Sequence, residues 1–139
     1  EVLQERGLVD VLKEVLEKGK PFLGICLGMQ VLFETSEESP GVDGLGVLKG
    51  TVKRFTSGKV PQMGWNEVRP CSQGLLQEGY GYFANSYYVV PDDSVVAATA
   101  EYGCPFACAV QFRNIAAVQF HPEKSGDYGL ALLKRWLSC

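Results

Sequence analysis

The sequence predicts an α/β fold with parallel strands, and two observations carry that expectation. Residues 7–21, GLVDVLKEVLEKGKP, place Leu8, Val11, Leu12, Val15 and Leu16 on one helical face, with Gly19 and Pro21 to stop the helix. PFLGI is then a short apolar run, read as a buried strand, and LGMQVLFETSEE resumes a helical pattern with Leu27, Gln30, Val31 and Glu34. Helix, buried strand and helix in succession is the order that builds parallel sheets.

The middle of the chain is richer in strands. GLGVLKGTVKRF and GWNEVRP carry β-branched residues bounded by glycine, proline and polar groups. YGYFANSYYVV, SVVAATAEY, FACAVQF and NIAAVQF read as four strands at short spacing. SGDYGLALLKRWLS closes the chain as a helix, with Leu130, Leu133 and Leu137 expected on one face and Ser125 or Asp127 as the cap. No internal repeat or low-complexity linker divides the 139 residues, so one domain spanning residues 1–139 is expected. The chain opens on Glu1 and runs directly into a helical pattern, as expected of a piece of a longer protein.

Composition narrows the function. Hydrophobic residues make up 46% and charged residues 21%, ordinary for a globular protein. A net charge of −3 without a Lys/Arg run argues against nucleic acid as a partner. No apolar stretch reaches the ~18 residues of a membrane span, and no signal-peptide pattern is present, so the expected setting is cytoplasmic. Five cysteines at irregular spacing (Cys26, Cys71, Cys104, Cys108 and Cys139) do not form a disulfide framework. Cys104 and Cys108 read as small apolar strand residues rather than metal ligands, and no cofactor is expected.

The chemistry concentrates in GICLG, where Cys26 lies between Gly24 and Gly28 at the seam of strand and helix. This resembles the G-x-S-x-G nucleophile elbow, with cysteine in place of serine. The turn is tight, so side chains at Gly24 and Gly28 are expected to collide with neighbouring backbone. A thiol at a helix N-terminus is expected to favour the thiolate, and the Leu27 N–H is placed to donate to an oxyanion. The base has one candidate, since His121 is the chain's single histidine. In VQFHPEKS it is followed by Glu123, with Pro122 between them. In an extended backbone both would project to one side, letting Glu123 hold one ring nitrogen while the other meets the thiol. Cys26, His121 and Glu123 are therefore read as a catalytic triad.

GICLGMQ followed by QFHPE resembles the class I, triad-type glutamine amidotransferase domain. VPQMGWN, YFANSYY and HPEKS are similar to the branch of that family that serves imidazole glycerol phosphate synthase as its glutaminase subunit. The resemblance implies a three-layer α/β/α sandwich with a mostly parallel central sheet. It implies L-glutamine as substrate, a cysteine thioester as intermediate, and a (β/α)₈-barrel cyclase as heterodimer partner that receives the ammonia. It further implies that Leu27, Gly28, Gln30, Ser86 and Tyr87 meet the substrate and that Met63, Gly64, Trp65 and Lys124 face the cyclase. By residue type alone, Gln30 is equally an exposed helix residue, Trp65 reads as core and Lys124 as a solvated charge.

The chain departs from the family pattern in two ways. Gln62 and Asn85 stand where family members usually have histidine, and nothing in these residues matches the first strands or the glycine-bearing loop that supplies the second oxyanion donor. The expected domain is thus N-terminally truncated. Two other readings remain: a glutaminase serving anthranilate, carbamoyl phosphate or GMP synthesis, or a non-catalytic docking subunit that keeps the fold.

Overall fold

The computed structural model describes residues 8–138, with Leu8 and Val9 described by backbone alone; the expected side-chain placement of Leu8 and the thiol of Cys139 lie outside it. Helix α1 (Leu8–Glu17) leads to strand β1 (Phe22–Ile25), the short helix α2 (Leu27–Gln30), β2 (Thr35–Ser36), β3 (Gly50–Arg54), β4 (Gln62–Pro70), β5 (Gly79–Asn85), β6 (Tyr87–Pro91), β7 (Val96–Glu101), β8 (Pro105–Phe112), β9 (Ile115–Val118) and helix α3 (Gly126–Leu137). The strands form one nine-stranded sheet among the described residues.

The fold is α/β, but the sheet is mixed rather than mostly parallel. β1 runs parallel to β9, with Phe22 opposite Ile115 and Ile25 opposite Val118, and β2 runs parallel to β3. The remaining pairings, β3 with β6, β4 with β5 and β7, and β8 with β6, β7 and β9, are antiparallel. The short spacing between the later strands accounts for this. A parallel connection needs a crossover of a dozen or more residues, and the turns around Gly103 and Asn114 leave no room for one.

Helices cover both faces of this sheet, and side-chain alternation along β1 and β9 sorts the core into two. Leu23, Ile25, Ala116 and Val118 pack with Phe83, Phe120 and Leu132, the last of these on α3. Phe22, Ile115 and Ala117 pack on the other face with Leu16 of α1 and Met29 of α2. The four residues of β9 are all buried, as befits a central strand covered on both sides.

Three local expectations change. The helix after Cys26 ends at Gln30 rather than continuing through Glu34. The carbonyls of Val31, Leu32, Phe33 and Glu34 instead accept from the N–H groups of Leu45, Leu48, Gly46 and Gly44, so a distant segment takes the place of the next helical turn. Gly44 makes that approach possible, since a Cβ there would lie 2.0 Å from the Phe33 carbonyl oxygen. The run YGYFANSYYVV divides at Ser86, where the chain leaves β4 for β3; the Ser86 carbonyl accepts from the N–H of Phe55. On α3 the buried positions are Gly129 and Leu132, while Leu130 and Leu137 are exposed, so the leucine spacing marks the wrong face.

Candidate active site

Cys26 sits directly beyond the carboxyl end of β1, and His121 follows the carboxyl end of the adjacent parallel strand β9. The Cys26 N–H donates to the Val118 carbonyl at 2.8 Å, so the two strands deliver nucleophile and histidine to the same edge of the sheet. That edge is where parallel strands place ligand sites. A cleft of about 750 Å³ bounded by α1, Gly46 and residues 112–115 lies at the other end of β9 and includes none of the triad.

The turn at Cys26 is strained. Cys26 has φ 55° and ψ −106°, a conformation that L-residues rarely adopt. Gly24 is obligatory, because a Cβ there would lie 2.6 Å from the Gly28 carbonyl oxygen. Gly28 is not: a Cβ at that position would meet nothing within 4 Å, which corrects the expectation that both glycines avoid a clash. Gly28 borders open space instead.

The resting thiol also differs from expectation. Burial raises the Cys26 pKa above its ordinary value, outweighing the Leu27 N–H and the Gln119 amide, which both lower it; Glu123 and Glu38 raise it further. A four-residue helix brings too small a dipole to reverse this. The surroundings of Cys26 therefore favour the thiol over the thiolate.

His121 Nδ1 lies 2.9 Å from Glu123 Oε2. The geometry differs from the extended backbone expected, since Pro122–Lys124 forms a 3-10 turn with His121 as its N-cap. The Glu123 carboxyl titrates below its ordinary value: partial burial is the largest single influence and opposes this, but the hydrogen bond from His121, a backbone N–H and the charges of His121 and Lys124 together outweigh it. With Nδ1 engaged, Nε2 remains as the proton-accepting atom. The loop is fastened to β5 through Tyr82, whose carbonyl accepts from the His121 N–H and whose N–H donates to Ser125 Oγ. That hydroxyl donates in turn to the His121 carbonyl at 2.6 Å, so Ser125 occupies the N-cap of α3 without capping it.

The other expected site residues fall into two groups. Gln30, read equally as an exposed helix residue, is buried; its Nε2 donates to the Tyr87 carbonyl at 3.2 Å and to Gln119 Oε1 at 3.1 Å. Gln119 Nε2 reaches Cys26 Sγ at 3.4 Å. Leu27 is exposed and, with Gln30 and Glu38, borders a small cleft of about 120 Å³. Ser86 lies at the break between β5 and β6, beside Tyr87. The second group faces outward. Met63 and Trp65 are 66% and 58% exposed on β4, with half-buried Gly64 between them, which corrects the reading of Trp65 as core. Trp65 packs edge-on against Tyr82 and lies 3.9 Å from where a Cβ on Gly126 would stand, close to the loop that carries exposed Lys124.

Gln119 and Ser125 had no site role in the sequence reading. The available signal for Gln119 was an uncharged amide ending an otherwise apolar strand, where burial demands a partner.

A family model described as glutamine amidotransferase class-I matches residues 4–137. The chain belongs to that family. Among class-I amidotransferase relatives, the imidazole glycerol phosphate synthase subunit HisH of Moorella thermoacetica is 52% identical over 141 residues, covering 96% of this chain and 67% of that protein. The subunit of the same description from Pyrococcus furiosus is 48% identical over 134 residues, covering 91% and 69%. A crystal structure of a glutamine amidotransferase superposes with a TM-score of 0.74 at 24% identity, covering 98% of this chain and 69% of that one. Another, from Thermotoga maritima, superposes at 0.63 and 22%, covering 96% and 52%. At those identities the solved structures show a shared fold.

Proposed function

We propose that this chain is the glutaminase subunit of an imidazole glycerol phosphate synthase, hydrolysing glutamine and passing the ammonia to a cyclase partner in the cytoplasm. The reading rests on the relatives' description and on one arrangement above all: a strained, glycine-flanked cysteine at the same sheet edge as a histidine whose Nδ1 is held by a carboxylate. Residues 1–139 belong to a single amidotransferase domain in this reading.

In the proposed reaction, Nε2 of His121 takes the Cys26 proton as Sγ attacks the side-chain amide carbon of glutamine. The imidazolium gives that proton to the departing nitrogen, releasing ammonia and leaving a glutamyl thioester. Water, deprotonated by His121, then cleaves the thioester; glutamate leaves and the proton returns to sulfur. Glu123 stabilises the imidazolium that forms in each half, and Leu27 N–H supplies one oxyanion donor. Gln30, Gly28, Ser86 and Tyr87 form the glutamine pocket, and Met63, Gly64, Trp65 and Lys124 meet the cyclase.

Acid quenching during turnover of glutamine, followed by peptide mapping, tests the reading. A glutamyl adduct on the Cys26 peptide is expected, with glutamate production rising when a cyclase is added. Glutamate formation without an adduct on Cys26 would overturn the assignment, and activity indifferent to a cyclase would favour a free-standing glutaminase.

A further inference from the structure

Gln119 is completely buried and its side chain bridges Cys26 and Gln30. Beyond Gln30, the side-chain amides continue. Asn85 Nδ2 donates to the Tyr87 carbonyl at 2.9 Å, Gln62 Nε2 to Asn85 Oδ1 at 3.0 Å, and Asn66 Nδ2 to Gln62 Oε1 at 2.8 Å and to the Glu101 carbonyl at 2.8 Å. Gln30, Gln62 and Asn85 are themselves buried.

One backbone atom sets the orientation of this whole chain. The Tyr87 carbonyl can only accept, so Gln30 and Asn85 must both turn their NH₂ groups toward it. Gln30 then offers its second N–H to Gln119, which must answer with its oxygen and therefore aim its NH₂ at sulfur. On the other side Asn85 shows its oxygen to Gln62, whose NH₂ faces it. Gln30 and Asn85 thus both donate to Tyr87, and from Gln30 the donors run on toward the thiol. One arm, Gln30–Gln119–Cys26, ends on the thiol; the other, Asn85–Gln62–Asn66, ends on β4.

We propose that Gln119 is a positioning residue for the Cys26 nucleophile, presenting a fixed N–H donor to Sγ because the Tyr87 carbonyl and Gln30 leave its amide no other orientation. The donor holds sulfur in one place and stabilises it as it loses its proton, since a hydrogen bond to the charged form favours that form. It also keeps Gln30 from rotating, with both of its N–H bonds spent inside the protein and its oxygen left for the substrate. This rests on the glutaminase reading for its substrate, while its effect on the thiol does not depend on which substrate is used.

The test is the pH dependence of iodoacetamide alkylation at Cys26, followed by peptide mapping in the protein together with any segment upstream of this chain. Glu123 and Glu38, whose charges act on the same thiol, and the proposed base His121 are left unaltered in every variant. Gln119→Met retains volume and removes the donor; the apparent thiol pKa should rise by about one unit, a tenfold loss of thiolate at fixed pH. Gln119→Glu keeps the shape, replaces the donor with an acceptor and should raise it further. Asn85→Leu disturbs a buried amide equally but lies on the other arm, so it should lower the melting temperature and leave the Cys26 profile in place.

A profile unchanged in Gln119→Met or Gln119→Glu, with the fold retained by circular dichroism, overturns the proposal. So does a shift in Asn85→Leu as large as that in the Gln119 variants, which would reduce Gln119 to general core packing. If one Gln119 variant does not fold, the other decides. Shifted alkylation profiles in a protein that does not hydrolyse glutamine would sustain the positioning role while the substrate assignment failed.

Discussion

Glu123 Oε2 stands 2.9 Å from His121 Nδ1, and the two residues share the head of one 3-10 turn. A neighbour so close in sequence gives the imidazole a fixed tautomer with little ordering cost from distant chain. His121→Ala should reduce glutamine hydrolysis by ~10²–10⁴-fold, the usual range for losing a general base. Glu123→Ala should cost less, because an unheld imidazole still accepts a proton. Steady-state rates for both variants measure this, and a larger loss in Glu123→Ala would reverse the roles.

The same pair makes a pH prediction. The Glu123 carboxyl is lowered on folding from its ordinary 4.5, so its contribution to stability is complete above that value. It is lost as pH falls through the lower, folded value. Melting temperatures followed from pH 7 into acid should fall less steeply in Glu123→Gln, which has no such proton to take up. The difference will be small, because the carboxylate is half exposed.

The two elbow glycines should behave differently. Gly24→Ala places a methyl against the Gly28 carbonyl and should destabilise by about 1–3 kcal/mol, as overpacking does. Gly28→Ala meets open space and should melt near the wild-type temperature, yet raise KM for glutamine by narrowing the space it borders. Thermal melts paired with steady-state kinetics separate the two effects. Equal destabilisation would show that the turn needs both residues small.

Trp65 is the strongest candidate for an anchor at the cyclase face. Trp65→Ala should leave the glutaminase fold intact and weaken cyclase binding by about 2 kcal/mol, the threshold for an interface hot spot. Titration calorimetry with the cyclase reads this as roughly thirtyfold in Kd. Unchanged affinity would place the docking surface elsewhere.

The parts of the site visible in the sequence were those built from neighbours in the chain. GICLG announces a turn and HPE announces a histidine with a carboxylate at hand, because in each the chemistry lies within a few residues. The contacts that cross the sheet were not visible. Nothing in LGMQVLFETSEE reveals that Gly44–Leu48 will claim its carbonyls, and that tertiary pairing is what halts α2 at Gln30. In YFANSYY the change of partner at Ser86 depends on where β3 lies. The three leucines of α3 follow helical spacing faithfully, yet the sheet selects Gly129 and Leu132. Gln119 was hidden for the same reason: its two partners, Cys26 and Gln30, come from the other end of the chain.

The side-chain amides that meet at the Tyr87 carbonyl also limit where protons can travel. A carboxamide nitrogen already holds its two hydrogens and its oxygen has none to release, so a row of such groups is an insulator. Imidazoles at positions 62 and 85 would have made part of that row a relay, able to gain a proton on one nitrogen and shed one from the other. With Gln62 and Asn85 in place, these amides offer a proton from Cys26 no inland path toward β4. Acid or base acting on the outer strands is thereby kept from reaching the nucleophile along this line.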